Sequence, residues 1–464
     1  MPKFSIVILA YNVGRYIGRC LESLIAQSFS DFEAIVVDDA SVDDTREIAE
    51  GYAFRDARLR VVSHGENNGP HLVRRSGVSQ ASGDYIVFLD GDDELTPDFL
   101  ERLAARLGQD DTDVLHFGMT VVSEGVSEEE HSAFTEYANR PTGATDGRSA
   151  FRAIFAESLG QLVDWRITQR VFRTSVLKEA FSAMTDRHLR RAEDAYETFA
   201  AFTFVQRTAG AEDCDGYIYH YGRGVTGTSR ISSARFGEFC EQFGECIDAA
   251  HDFLASHRSD VAEECYEGMC HKLYEILAND LLVRVADDER IDASRHMSRV
   301  FGSAVTAREL WRFVRDRAYG LLKGGVVPDA DDELYGFMRL AKSQPVPEGG
   351  SAAATRYADM RRVAQSHLDD LRAVMPIRIY VTAHKRVKLP NSLMLQPVQV
   401  GPGNRSNRFI GYLHDDEGNN IAGKNPRYCE MTTQYWAWKN GLADYVGFAH
   451  YRRYFNFSGV TYPE

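Results

Sequence analysis

Apolar positions follow two rhythms over the first hundred residues. Phe4 to Leu9, Phe32 to Val37, Leu59 to Val62 and Tyr85 to Leu89 are short apolar runs, whereas Ile17, Leu21, Leu24 and Ile25 recur at helical spacing between the first two. Such runs alternating with amphipathic stretches predict a parallel sheet covered by helices, since strands buried on both faces are apolar throughout. Ser41, with Asp44 three positions on, predicts one helix start. Thr96 followed by Pro97 predicts another.

From about residue 112 the pattern loosens into strands, loops and a helix near Arg148 to Ser158, and then returns to a strand at Tyr217 to Tyr221. Phe236 to Arg317 has helical period, with Leu273, Ile276, Leu277, Leu281 and Leu282 as its core stripe. SQPVPEGGSAAAT, residues 343 to 355, reads as a linker, and Ile377 to Val381 as the first strand of a second α/β unit. The predicted organisation is an α/β nucleotide-binding domain over 1–232, a helical connector or acceptor subdomain over 233–342, a linker and helix over 343–375, and a partial second α/β domain over 376–464.

A chain of 464 residues is long enough for more than one core. Its net charge of -15 argues against a nucleic-acid partner, which would require clustered Lys and Arg. The seven cysteines form no CxxC pair and are read as reduced cytosolic thiols. MPKFSIVILAYN lacks the pattern of a signal peptide, and no run of about 18 apolar residues occurs. The expected location is the cytoplasm, with peripheral association at the inner face of the plasma membrane left open.

ILAYN (8 to 12), VVDDASVDDT (36 to 45) and IVFLDGDDEL (86 to 95) each fall where a predicted strand ends. Ligands of open parallel sheets lie beyond the carboxyl ends of strands, so these pieces are expected to line one crevice. Asp90 and Asp92, two apart around Gly91, are candidates to reach a ribose and a divalent metal. Carboxylate and water ligands suit Mg²⁺ or Mn²⁺, which would offset the charge of a diphosphate leaving group.

Order and spacing of these pieces resemble the family 2 glycosyltransferases of the GT-A fold, from Phe4 to about Ser229. The resemblance rests on Ala10-Tyr11-Asn12, Asp38-Asp39-Ala40-Ser41, Asn68-Gly69, Arg74, Ala81-Ser82-Gly83-Asp84-Tyr85-Ile86 and Leu89 to Asp93. It implies that Ala10, Tyr11, Asp39 and Ser41 bind the nucleotide, with uracil as the expected base, and that Arg74 approaches the diphosphate. The family commonly has asparagine after this arginine, where this chain has Arg75. Ala192-Glu193-Asp194 resembles the family's E-D motif, which makes Glu193 and Asp194 the candidate catalytic pair with Asp194 as general base. Tyr219 to Arg223 and Thr226 to Ser229 resemble the segment that closes over the diphosphate. Arg223 would supply positive charge there, and His220 is a further candidate metal ligand beside Asp92 and Asp90. Trp165 and Gln169 to Arg173 fall where the family places acceptor-side residues.

Residues 377 to 455 are dense in Trp, Tyr, Asn, His and Arg, a composition suited to a sugar or nucleotide surface. Lys424-Asn425, Tyr428-Cys429-Glu430, Tyr435 to Asn440 and His450 to Arg453 resemble an exopolysaccharide-biosynthesis family of glycosyltransferases linked to galactose transfer. Such a domain normally continues well past HYRRYF, so this part is expected to be partial.

The resemblance thus implies an inverting, metal-dependent transferase with a UDP-sugar donor, UDP-galactose among them. The implied acceptor is a growing, often lipid-linked, oligosaccharide in capsule, O-antigen or exopolysaccharide assembly. The rival readings are a noncatalytic nucleotide-sugar-binding module and a sugar-phosphate nucleotidyltransferase. The latter normally carries a Gly-rich basic N-terminal loop, which ILAYNVGRYIG does not supply.

Overall fold

The computed structural model describes residues 2–108, 111–141, 143, 146–156, 163–223, 229–329, 332–375, 377–387, 389, 392–401, 407–409, 411–428, 430–440, 443 and 445–450. Thr226 to Thr228, Cys429 and Tyr451 to Arg453, singled out above, lie outside them. The chain divides into two compact units, 1–296 and 297–464.

The first unit opens with β1 (Phe4–Ala10), α1 (Gly14–Ile25), β2 (Phe32–Asp38), α2 (Thr45–Arg55), β3 (Leu59–Ser63), α3 (Gly69–Gln80) and β4 (Tyr85–Asp90). The four predicted strands are present, each one residue longer than its apolar run, because the polar or small residue that ends each strand still pairs with its neighbour. The α2 helix begins four residues after Ser41. That hydroxyl accepts from the Asn12 backbone N–H at 3.0 Å across the crevice instead of capping its own helix. After β5 (Glu94–Leu95), α4 starts at Phe99 (Phe99–Leu107) and not beside Thr96, whose hydroxyl instead donates to Asp98 at 2.8 Å.

There follow β6 (Val114–Phe117), β7 (Met119–Ser123), α5 (Glu128–Ala138), α6 (Gly147–Phe155), β8 (Arg170–Arg173), α7 (Thr174–Ala183), α8 (Glu193–Phe202), β9 (Thr208–Ala211) and β10 (Tyr217–Tyr221). Seven strands form one sheet in the order β3-β2-β1-β4-β8-β6-β9, and β5-β10-β7 form a small second sheet. Pairing is parallel from β3 to β4, antiparallel on both sides of β8, and parallel again between β6 and β9. Ile6, Ile8, Val36, Val87 and Leu89 pack with the α1 face of Ile17, Leu21 and Leu24 in a fully buried core. On the other side α3 lies so close to β1 that a Cβ at Gly77 would meet Val7 Cγ1 at 2.2 Å.

Helices α9 (Ser233–Ser256) and α10 (Asp260–Val283) complete this unit, and α11 (Arg290–Phe301) contains the division. Along α10, Leu273, Leu277, Leu281 and Leu282 are buried as the period predicts, while Ile276 is half-buried. The second unit holds α12 (Ser303–Gly324), α13 (Glu333–Ser343), α14 (Ala352–Val374), β11 (Ile377–Ala383), β12 (Leu395–Gln399), β13 (Leu413–His414), α15 (Asn425–Tyr428), α16 (Met431–Asn440) and β14 (Tyr445–His450). Its sheet, β13-β12-β11-β14, is parallel throughout. Among the described residues no helix is long and apolar enough to cross a membrane.

Candidate active site

Because β2, β1 and β4 are sheet neighbours, their carboxyl ends emerge side by side, with Ala10 opposite Asp38 and Leu9 opposite Asp90. The first two turns are clasped together. Asn12 Oδ1 accepts from Val42 N–H at 2.9 Å, and Asp39 N–H donates to the Ala10 carbonyl at 2.9 Å. Ala10, Tyr11 and Ser41 therefore share one end of the sheet, and the Tyr11 ring is 49% exposed there. Asp39 is also at this end but buried. Its carboxylate accepts from Asn68 and Gly69 N–H, each at 2.9 Å, and faces His64 Nδ1 at 2.7 Å, which fixes the start of α3.

Among the described residues, the non-glycine positions with left-handed backbone are Asn12 (φ 54), Ala40 (φ 58) and Ala192 (φ 59). Each lies within a predicted site segment. An alanine in this conformation costs roughly 1–2 kcal/mol, a strain that concentrates at functional turns.

The acidic turn after β4 is held from two sides. Gly91 N–H donates to the Leu9 carbonyl at 2.9 Å, and a Cβ at Gly91 would sit 2.7 Å from that oxygen, so only glycine fits. Asp93 is a tether to β10: its carboxylate accepts from the Tyr217 hydroxyl at 2.8 Å and from His220 N–H at 2.9 Å. Burial pushes the Asp90 carboxyl up to about 7, with Asp92 and Asp194 adding and Arg74 and Arg166 opposing. Burial likewise raises Asp92 and Asp93. Arg223 reaches this turn. Its Nη1 donates to the Asp92 carbonyl at 3.4 Å, its Nε to Glu124 at 2.8 Å, and its guanidinium lies 4.9 Å from the Tyr16 ring centroid.

No three His, Cys, Asp or Glu side chains among the described residues already converge as a metal-binding group. The chemistry nevertheless fits a hard divalent cation, because a desolvated carboxylate such as Asp90, pushed up further by the charge of Asp92, is relieved by a bound positive charge. His220 is 6% exposed; its Nε2 faces Glu94 at 2.9 Å and its buried Nδ1 has no hydrogen-bond partner among the described residues.

Ala192 precedes α8, a helix buried along most of its length. Arg74, 3% exposed, projects from α3 into its first turns, where its Nη1 lies 2.8 Å from Asp194, 2.8 Å from Glu197 and 3.3 Å from Glu193. Arg74 is thus the arginine that meets Glu193 and Asp194. Arg75 turns away and donates to the carbonyls of Met184 and Thr185, both at 3.0 Å. Burial, reinforced by Asp194 and Glu197 and opposed by Arg74, raises the Glu193 carboxyl to about 8. Burial thus favours the protonated form of Glu193. Asp194 Oδ1, beyond its ion pair with Arg74, accepts no hydrogen bond among the described residues.

Sequence reasoning missed Glu197 and His71, both fully buried and joined at 2.8 Å. A signal was present. Glu193 and Glu197 are four apart on one helix and His71 and Arg74 three apart on another, so two like-charged carboxylates on one face called for a cationic face opposite. Asp164 and Arg166 were also missed. They pair beside the site, and the Arg166 charge acts on Asp90. Trp165 is half-buried between Thr198, whose hydroxyl donates to its carbonyl at 2.7 Å, and Lys272, 5.3 Å from the ring centroid. Gln169 and Arg170 are fully buried around the start of β8.

In the second unit the aromatic density splits by role. Trp436 packs with Tyr380, Val398 and Val400 and donates from Nε1 to the Glu417 carbonyl at 3.0 Å, whereas Trp438 is 72% exposed.

Residues 5–178 match the sequence model of Glycosyl transferase family 2. Residues 378–462 match a domain of unknown function, DUF4422. The chain is 32% identical over 226 residues to the uncharacterized glycosyltransferase EpsJ of Bacillus subtilis (strain 168), which covers 47% of this chain and 61% of that protein. Against the poly(ribitol-phosphate) beta-N-acetylglucosaminyltransferase TarS of Staphylococcus aureus (strain Mu50 / ATCC 700699) it is 32% identical over 224 residues, 47% of this chain and 35% of that protein. The chain thus spans less than two thirds of the length of these relatives. A crystal structure of S. aureus TarS 1-349 in complex with UDP-GlcNAc aligns at 20% identity over 74% of this chain and 91% of that one, with a TM-score of 0.49.

Proposed function

We propose that the N-terminal part of this chain, whose residues 5–178 match Glycosyl transferase family 2, is a GT-A type domain that transfers a sugar from a UDP-sugar to a glycan acceptor by inverting displacement. The observation that carries this reading is the meeting of Arg74 with Glu193 and Asp194, at a site where the Asp90 carboxyl feels the charges of both Arg74 and Asp194. An acidic turn for the leaving group and a carboxylate for the acceptor proton are thereby brought within electrostatic reach.

Tyr11 and the Ala10 backbone, at the end of β1, form the surface for the base. Asp39 acts there indirectly, by fixing the Asn68-Gly69 turn against that end. Asp194, its Oδ1 held against Arg74 and its side chain still 24% exposed, takes the proton of the attacking hydroxyl as the glycosidic bond breaks, and no covalent enzyme intermediate forms. Glu193, protonated, leaves that role to its neighbour. Arg223 places a guanidinium at the Asp92 turn, where the diphosphate charge develops. Asp90 and Asp92, with His220 beside them, would hold Mn²⁺ or Mg²⁺, which when bound neutralises that charge.

The naming of the Staphylococcus aureus relative as an N-acetylglucosaminyltransferase acting on a polymer supports a cell-surface glycan as acceptor. UDP-galactose is one donor to test, and work at the inner face of the membrane follows from a lipid-linked acceptor. For the second unit, the galactosyltransferase-like reading rests on its motifs. The test is a panel of UDP-sugars assayed for binding and hydrolysis with Mn²⁺ and with a chelator. One UDP-sugar should be turned over with Mn²⁺ and none with the chelator; binding of no UDP-sugar, or turnover indifferent to chelation, would overturn the proposal.

A further inference from the structure

Arg74 can orient Asp194 only as firmly as it is itself held, and what holds it lies outside the crevice. Glu197, one turn beyond Glu193 on α8, is fully buried and accepts from Arg74 Nη1 through Oε2 at 2.8 Å. Its other oxygen faces His71 Nδ1 at 2.8 Å, and His71 Nε2 faces the Thr185 carbonyl at 2.9 Å. Both partners of this fully buried ring are acceptors, so both nitrogens donate when both contacts are made. Thr185 is fixed in turn: its carbonyl also accepts from Arg75 at 3.0 Å, and its N–H donates to the Tyr196 hydroxyl at 2.9 Å.

We propose that Glu197 and His71 are positioning residues for sugar transfer, a buried series from Thr185 through His71, Glu197 and Arg74 that sets the Asp194 carboxylate toward the acceptor. The inference rests on the reading of Asp194 as base. A carboxylate and an imidazole packed merely for stability have no reason to end on that residue. Here the series terminates at the buried Asp194 Oδ1, which lies 2.8 Å from Arg74 Nη1 and accepts no hydrogen bond among the described residues. Without the Glu197 charge, Arg74 would lose one of its three carboxylate partners and shift toward Glu193 and Asp194.

The test uses the full chain carrying Glu197→Gln, Glu197→Asp or His71→Gln. With a turned-over UDP-sugar, Glu197→Gln should lower kcat by about 100-fold while donor KM stays within about twofold, the signature of misplacement rather than lost binding. The acid limb of the kcat profile should shift, and Glu197→Asp should recover part of the rate. A crystal structure of Glu197→Gln should show Arg74 displaced toward Glu193 and Asp194, with its 2.8 Å contact to Asp194 changed. Parental kcat and pH profile, or a slow enzyme with that contact unchanged, would overturn the inference. If Glu197→Gln does not fold, His71→Gln is read by the same two measurements. Parental transfer by Asp194→Asn would overturn the base reading and the positioning role with it, whereas an inactive Asp194→Asn beside a parental Glu197→Gln would overturn the positioning alone.

Discussion

Replacing Glu193 by glutamine should make the protein more stable, and increasingly so as pH rises. In the folded chain the Glu193 carboxyl is held at about 8, against an ordinary 4.5, because it is buried beside Asp194 and Glu197. Between those values the folded state keeps a proton that the unfolded chain releases, so this group's contribution is present at low pH and is lost as pH climbs through 8. At about 1.4 kcal/mol per decade, the cost of Glu193 relative to a neutral isostere grows from about 1 kcal/mol at pH 5 to about 4 at pH 8. Glutamine keeps the carbonyl that Arg74 approaches at 3.3 Å, so little else is lost. The widening of about 3 kcal/mol corresponds to about 6 °C in Tm for a unit of this size. Thermal melts of parent and Glu193→Gln in chelator from pH 5 to pH 8.5 measure it. A difference in Tm that stays flat or narrows with pH would refute the reasoning.

Gly77→Ala should destabilise the first unit by about 1–3 kcal/mol in denaturant titration, since its methyl group would overlap Val7, whereas the same change at the open Gly51 should stabilise it by up to about 1 kcal/mol through helix propensity. Ala192→Gly should raise stability by up to about 1 kcal/mol, because glycine adopts φ 59 without strain, with Tm as the readout. Arg223→Ala should weaken UDP binding by about tenfold in calorimetry, the loss of one charged contact. Its Tm should stay within about 1 °C, because its partner Glu124 is half-exposed.

The sheet was legible because strands covered on both faces are written as unbroken apolar runs, and β1, β2, β3 and β4 needed no distant information. The site segments were legible for a related reason: they follow the ends of those strands. What the chain concealed was the use of each polar side chain. Ser41 reads locally as a helix cap, but its hydroxyl serves Asn12, 29 positions away. Asp39 reads as a ligand-facing carboxylate, yet its oxygens are spent on Asn68 and Gly69. Asp93, with no assignable role in the sequence, proves to tie the acidic turn to β10 through partners more than a hundred positions on. Glu197 and His71 looked like ordinary helix residues because their pairing spans 126 positions. Hydrophobic periodicity reports burial, and it carries no information about which buried charges meet.

The central claim is that Asp194 is the base and that the acidic turn holds the departing UDP. It is tested most directly by measuring UDP affinity and UDP-sugar turnover side by side, with Mn²⁺, for the parent, Glu193→Gln and Asp194→Asn. Asp194→Asn should bind UDP as the parent does and lose at least about 100-fold in kcat, while Glu193→Gln keeps most of its turnover. Equal turnover in parent and Asp194→Asn, or UDP binding lost with Asp194, would contradict it.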